Sequence, residues 1–522
     1  MKLPKSALIF LLLSFCFFSE ICKSKLDRVL TSEIHAASPP RGWNSYDSFS
    51  WTIDEQQFLD NAQLVSQKLK SSGYEYVVVD YLWYRRKVAG AGPDSLGFDV
   101  IDEWGRMLPD PIRWPSSSST GEKGFSEVAR KVHSMGLKFG IHVMKGISTQ
   151  AVNANTPIMD ITTGGQFQQS GRNWTAQDIG IKERACAWMP HGFMSVNTSL
   201  DAGKAFLRSL YKQYSEWGVD FVKLDCVFGE DLDLAEIKVV SEAIEGQNST
   251  VLFSLSPGKQ ATPEMATSVS GLVNMYRVTA DDWDTWPDVA SHFDVARDFS
   301  AANLTGAAGL LGKSWPDLDM LPLGWLTDPA SNEGPHRACR LTLDEQKTQV
   351  TLWSIAKSPL MFGGDMRNLD HTTYRLLTEP TLLQINSDTS NNKEFANDVG
   401  IKITRSEPNW LVLLWRKMCR ILAQHLVTHT SNGIPTGVRA WVATGSQDVT
   451  YVALFNLNEV VTVISANLRD LDMALPGRNI KEGSCKCKEI WSGKDLGVVQ
   501  KSLKTSVNPH GVALFVLNCN KP

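Results

Sequence analysis

The feature that most constrains this chain is a recurring unit: an amphipathic helix, closed by a glycine and followed at once by a β-branched strand. The first copy opens at Thr52, with Glu55 three residues on as a predicted capping box. It carries an apolar face at Phe58, Ala62, Val65 and Leu69, stops at Gly73 and delivers a strand over Tyr76–Val79. The second has Phe125, Val128, Val132 and Met135 on its face, then Gly136, then a strand over Lys138–Val143. The third has Phe206, Leu210, Tyr214 and Trp217, then Gly218, then a strand over Asp220–Leu224. Further strands are expected at Thr250–Leu255, Met275–Ala280 and Leu360–Phe362, the last preceded by a capping box at Thr342 and Glu345. Repeated α-then-β units require parallel strands with helices outside. About eight of them over roughly 350 residues fit a (β/α)8 TIM barrel better than an open sheet. No Gly-x-Gly-x-x-Gly follows any strand, which argues against a dinucleotide fold.

After about Asn391 the pattern changes to short strands with turn signals, at Trp410–Trp415, Val449–Phe455, Val460–Ser465 and Gly511–Val516. This reads as a small C-terminal antiparallel β-sandwich. Residues 418–437 fit poorly between these strands and are read as an insertion. The expected division is a signal peptide over 1–24, a linker over 25–38, the barrel over 39–390 and the sandwich over 391–522. The signal reading rests on basic Lys2 and Lys5 ahead of an uncharged run from Ala7 to Phe18, too short to span a bilayer. It implies the secretory pathway, with a secreted, cell-wall or vacuolar destination and no membrane association after cleavage. Sequons begin at Asn173, Asn197, Asn248 and Asn303. Of the 9 cysteines, Cys16 and Cys22 would leave with the signal, and an odd number remains, so at least one is free or intermolecular. A net charge of −4 gives no basic surface for nucleic acid.

Functional side chains of such a barrel stand at the C-terminal ends of its strands, and acids collect there. Asp80, Asp225 and Asp281 each follow a strand, and Asp317 and Asp319 lie in Trp315–Met320. Strand side chains alternate faces, so Lys223 shares a face with Asp225, and Arg277 with Asp281, while Val222 and Leu224 suit the helix layer. A mouth ringed by carboxylates with interleaved cations is suited to sugar hydroxyls. Two carboxylates are the minimum for glycosidic cleavage, one to attack or to activate water and one to protonate the leaving oxygen. Read singly, each strand-end Asp is equally a helix cap. Asp317 and Asp319 have no histidine at ligand spacing, so no metal and no cofactor is expected.

At these residues the chain resembles glycoside hydrolase family 27, the α-galactosidase or melibiase family. Pro39–Tyr46 resembles its opening strand, Val219–Cys226 its nucleophile strand and Tyr276–Asp281 its acid/base segment. Trp315–Met320 and Trp353–Leu360 resemble its closing strands. The resemblance implies a retaining exo-glycosidase that removes terminal α-D-galactosyl groups from oligo- or polysaccharides. Asp225 would be the nucleophile and Asp281 the acid/base, kept protonated at rest by burial beside Asp225. It also implies that Lys223 and Arg277 hold ring hydroxyls and keep Asp225 ionised. Asp80 would accept from O4, Asp319 would orient the acid/base region or O2, and Tyr46 and Trp315 would be apolar walls. Cys186 and Cys226 match the family's disulfide beside the nucleophile.

Three departures bear on the sugar. Tyr81 stands where the family has a second Asp that holds O6. β-L-Arabinopyranose shares the ring stereochemistry of α-D-galactose but lacks the C6 hydroxymethyl, so β-L-arabinopyranosidase activity is the alternative. Ser256 replaces a Glu that touches O2, which would admit a 2-acetamido group as in α-N-acetylgalactosaminidases. His142 replaces a Tyr and either bonds the sugar or is structural. The non-enzyme alternative is a catalytically silent sugar-binding protein.

Overall fold

The computed structural model describes residues 34–118, 123–247, 251–395, 402–404, 437–446, 449–475, 480 and 485–519. The signal segment, the 418–436 stretch, the strand expected at Trp410–Trp415, Cys419 and the Asn248 sequon lie outside the described residues. Eight parallel strands, with the short antiparallel strand Ala307–Gly309 beside the seventh, form one sheet: β1 (Arg41–Asn44), β2 (Tyr76–Val79), β3 (Lys138–Met144), β4 (Phe221–Phe228), β5 (Leu252–Pro257), β6 (Met275–Arg277), β7 (Gly312–Asp317) and β8 (Leu360–Phe362). Neighbours run from β7 through β6, β5, β4, β3, β2 and β1 to β8. Just past β7, Leu321 bridges Phe362 of β8 in parallel register and joins the two ends of the sheet.

Alternation along the strands sorts the side chains. Val77 and Val79, Val222 and Leu224 pack against the helix layer. Tyr76 and Val78, Phe221, Leu252, Met275 and Met361 fill the lower barrel interior. The outer layer includes α1 (Glu55–Lys68), α2 (Ser126–Ser134), α3 (Asp201–Glu216), α4 (Leu234–Glu245), α5 (Pro263–Val269), α6 (Trp286–Ala301) and α7 (Leu343–Ile355). Gly136 and Gly218 follow α2 and α3 at φ of 72° and 79°, the left-handed conformation that lets the chain leave a helix and enter a strand within a few residues.

The cap of α1 differs from expectation. Asp54, not Thr52, accepts from Gln57 N at 2.9 Å, and Gln57 Oε1 accepts from Asp54 N at 3.2 Å. The Thr52 hydroxyl is spent on Phe49 O, and Glu55 accepts from Ser116 N and Lys131. The box at Thr342 and Glu345 does cap α7. β6 stops at Arg277, three residues short of the expected Ala280, whereas β4 runs on to Phe228.

The C-terminal region is antiparallel. One sheet has the order Ser390–Glu394, Val438–Thr444, Val449–Asn456, Val512–Cys519, Cys485–Glu489, Asp495–Val499, and a second pairs Lys402–Thr404, Thr462–Asn467 and Ser502–Val507. Cys485 and Cys519 are bridged. The larger sheet docks on α6 and α7: Phe455 packs edge-on against Phe293, His510 stacks on Trp286 at 4.0 Å, and Arg439 pairs with Asp294.

Two tests follow from this packing. A Cβ on Gly42 of β1 would lie 2.5 Å from the Tyr76 carbonyl oxygen and 2.8 Å from Tyr76 Cβ. Gly42→Ala should therefore cost about 1–3 kcal/mol, read as a lower thermal midpoint. Glu236 on α4 is fully buried; its Oε1 accepts from Gly146 N, and Oε2 has no protein donor. Burial, with Asp233 adding, pushes its carboxyl from 4.5 to about 8. The folded state thus binds a proton that the unfolded state has already released, so stability falls as pH rises from 4.5 to about 8. Glu236→Gln should flatten that decline in a melting series across this interval, and an unchanged slope would refute it.

Candidate active site

One cavity of about 410 Å³ opens at the C-terminal ends of the strands, and Asp80, His142, Lys223, Asp225, Ser256 and Asp281 line it together with Tyr46 and Tyr81. β4 supplies its floor. Phe221, Lys223 and Asp225 share the inward face, so apolar packing below gives way to charge above.

Asp225 is buried, and each of its oxygens has one donor. Oδ2 lies 2.9 Å from His142 Nε2, and Oδ1 accepts from Cys226 N at 2.6 Å. Burial alone would push this carboxyl up. The His142 hydrogen bond and charge, the Lys223 ammonium and the Cys226 N–H together outweigh burial and hold it below the usual range. Cys226 takes φ 62°, a left-handed kink within β4, and is bridged to Cys186. The chain is thereby fixed immediately beyond Asp225.

Asp80 accepts from Lys223 Nζ at 3.2 Å, Asn44 Nδ2 at 2.8 Å and Tyr81 N at 2.9 Å. Burial opposes its charge, but Lys223 leads the groups that bring its carboxyl down to about 2. Lys223 itself is raised: burial works against the ammonium, and Asp80 more than offsets it. Tyr81 turns its hydroxyl away from the mouth to Ser50 Oγ at 3.3 Å, and burial pushes that phenol up to about 12. Its ring meets Tyr46, His142 and Trp188 edge-on, with centroids 5.5, 6.1 and 5.9 Å away. Ser256 is buried on β5.

Asp281 stands at the lip, its side chain 49% exposed, so the expected burial is not found there. Its contact is Arg277 Nη2 at 3.4 Å. Three expected substrate contacts do not line the cavity. Arg277 lies behind it; Nη2 donates to Ala280 O at 2.8 Å and pairs with Asp319 at 2.7 Å, so the guanidinium secures the turn that carries Asp281. Asp319 is buried in the same cluster and also accepts from Asp282 N at 2.7 Å. That position suits orienting the acid segment, not contact with O2. Trp315 is the clearest correction. It has the inward parity of β7 but sits in the lower interior with Met275 and Met361, its indole donating to Ala36 O at 2.8 Å.

Trp188, Glu230, Asp231 and Lys259 also line the cavity and were not anticipated. Trp188 lies two residues past Cys186, and the inferred bridge to Cys226 was the available signal that this loop reaches Asp225.

With the geometry in place, the comparisons are specific. The family model described as alpha galactosidase A matches residues 177–388, and that of the alpha galactosidase C-terminal beta sandwich domain matches 436–517. Alpha-galactosidase 2 of Arabidopsis thaliana is 23% identical over 507 residues, covering 96% of this chain and 95% of that protein. The crystal structure of alpha-galactosidase I from Mortierella vinacea, 18% identical, covers 92% of this chain and 97% of its own with a TM-score of 0.61, a likeness of fold. A β-L-arabinopyranosidase from Geobacillus stearothermophilus, assigned to glycoside hydrolase family 27, is 32% identical over 92% of this chain and 96% of its own, with a TM-score of 0.74. A barrel with acids at its strand ends, a C-terminal β-sandwich and this degree of identity lead to one conclusion: the chain belongs to glycoside hydrolase family 27 and is a glycoside hydrolase.

Proposed function

We propose that the protein is a retaining exo-glycosidase that prefers terminal β-L-arabinopyranosyl groups and takes α-D-galactosyl groups less well. The observation that carries this reading is Tyr81. Its ring occupies the wall where a second carboxylate would hold O6, and its hydroxyl is paired with Ser50, so no carboxylate there serves a hydroxymethyl group. The 32% identity to a β-L-arabinopyranosidase supports the same choice.

In this reading a carboxylate oxygen of Asp225 bonds to the anomeric carbon. The bond from that carbon to the leaving oxygen breaks, and Asp281 gives that oxygen its proton. In the second step a water oxygen attacks the same carbon, Asp281 takes the water's proton, and Asp225 is released. His142 and the Cys226 N–H hold Asp225 ionised and fixed in direction, and the open position of Asp281 gives the departing group access to it. Asp80 and Lys223 bind ring hydroxyls as acceptor and donor. Arg277 and Asp319 position the Asp281 turn from behind.

The protein is also proposed to travel the secretory pathway. The two bridges among the described residues, Cys186–Cys226 and Cys485–Cys519, suit an oxidising compartment. The sequon residues Asn173 and Asn303 are exposed and open to glycosylation, and Asn197 is partly exposed.

Nitrophenyl β-L-arabinopyranoside and α-D-galactopyranoside decide the sugar: kcat/KM should be higher on the former. Faster turnover of the galactoside, or of a 2-acetamido galactoside, would reject the preference. Tyr81→Asp should shift the ratio toward galactoside by about tenfold or more, because a site that bonds a hydroxyl discriminates more strongly than apolar contact does. Asp225→Asn should abolish turnover of both with the thermal midpoint retained; near-normal activity would rule out the nucleophile.

A further inference from the structure

Trp188 has no part in the chemistry above, yet it is the one exposed tryptophan among the described residues, 41% accessible and on the rim of the same cavity. Tryptophan carries a large apolar face that is usually covered. Here the chain builds a mount for an uncovered one. A small antiparallel sheet after β3 (Ile147–Ser148, Gly180–Ala185 and Phe193–Val196) projects the loop. Buried residues pin the loop on both sides of Ala187–Trp188: Cys186, bridged to Cys226 next to Asp225, and Met189, fully buried. Cys186 N donates to Phe193 O at 3.0 Å, and Met189 N to Cys186 O at 3.3 Å. The indole is thus displayed at a fixed place relative to Asp225, with the Tyr81 ring roughly perpendicular to it, centroids 5.9 Å apart.

The same cavity also carries a charged group. Glu230 and Lys259 line it as an ion pair 2.9 Å apart, with Asp231 beside them. Gln260 Nε2 donates to Glu230, and Glu230 N to Lys259 O at 2.8 Å, so this side is also held in place. An aromatic face together with fixed carboxylates and an ammonium matches a ring that is apolar on its C–H face and hydroxylated at its edge. A lipid chain would leave the charges unmatched, and an aryl group would leave the hydrogen-bonding groups idle.

We propose that Trp188 is a specificity-determining platform for the leaving group, and that this leaving group is a pyranose of an oligo- or polysaccharide, stacked on the indole and bonded by Glu230, Asp231 and Lys259. This rests on the reading of Asp225 and Asp281 as the reacting pair. The same platform receives a sugar acceptor in the second step, when an acceptor hydroxyl replaces water and gives its proton to Asp281.

The test compares two substrates with the same glycosyl group: a glycosyl fluoride, whose leaving group has no ring, and a disaccharide on a hexopyranose. Trp188→Ala and Trp188→Leu, the latter keeping bulk without a ring, should lower kcat/KM on the disaccharide by about 10- to 100-fold more than on the fluoride, mainly through KM. Trp188→Phe should recover most of the loss. With a methyl hexopyranoside added as acceptor, the first two variants should also yield less transfer product relative to hydrolysis. Equal losses on both substrates, or transfer ratios that match the unmodified protein, would overturn the platform while leaving the reacting pair intact. Failure of the unmodified protein to cleave the fluoride would instead overturn the reacting pair, and the platform with it.

Discussion

Two buried cations, Lys223 and Arg277, make the mouth of this barrel possible. Parallel strands deliver every strand-end side chain to one shared opening, and here the sequence delivers Asp80, Asp225, Asp317 and Asp319, nearly all out of water. Uncompensated, such a cluster would protonate or fly apart. The cations stand at inward positions of β4 and β6 and divide the acids between them. Lys223 pairs with Asp80 inside the cavity, and Arg277 pairs with Asp319 behind it. Removing either cation would strand a buried carboxylate, an effect of about 3–5 kcal/mol for a buried pair, so the charge pattern supports both the fold and the site.

That division creates two unlike environments for the two acids of the proposed mechanism. Asp225 is enclosed, with a donor on each oxygen and a bridged cysteine directly after it. Asp281 is at the lip, tethered through a long contact to a guanidinium that is itself committed to Asp319 and to the backbone of the turn. An attacking carboxylate benefits from fixed direction and retained charge. A carboxyl that exchanges protons with the departing group and with water needs access to both. The different burial of the two residues suits those separate tasks.

The period of two along the strands was readable from sequence, and it correctly separates Lys223 and Asp225 from Val222 and Leu224. Parity says inward or outward but not how high. Trp315 is inward yet one layer below Asp317, so it plugs the barrel instead of walling the sugar. Arg277 is inward at the right height, but its reach to Asp319 and to the Thr279 and Ala280 carbonyls draws it out of the cavity, a competition among partners that no pattern encodes. The cap of α1 was misplaced because Thr52, Asp54 and Glu55 all satisfy a local rule, and the contacts of Thr52 with Phe49 and of Glu55 with Ser116 and Lys131 decide among them. Trp188 sits on a loop subdomain without helical or strand period, so only the cysteine two residues before it pointed to the site.

Tyr81 ties these levels together. A carboxylate at that position would add another anion beside Asp80, to be balanced by the same Lys223. A phenol whose hydroxyl is satisfied by Ser50 adds none, and Lys223 is left to Asp80 and Asp225. The ring also completes an aromatic arc in which Trp283 meets Tyr46, Tyr46 meets Tyr81, and Tyr81 meets Trp188. The residue proposed to close the O6 side of the glycone site is therefore also the one whose ring lies against the exposed indole. In the proposed reading, specificity for the sugar being released and for the sugar it leaves are linked through one side chain, so that an exchange at position 81 would act on both.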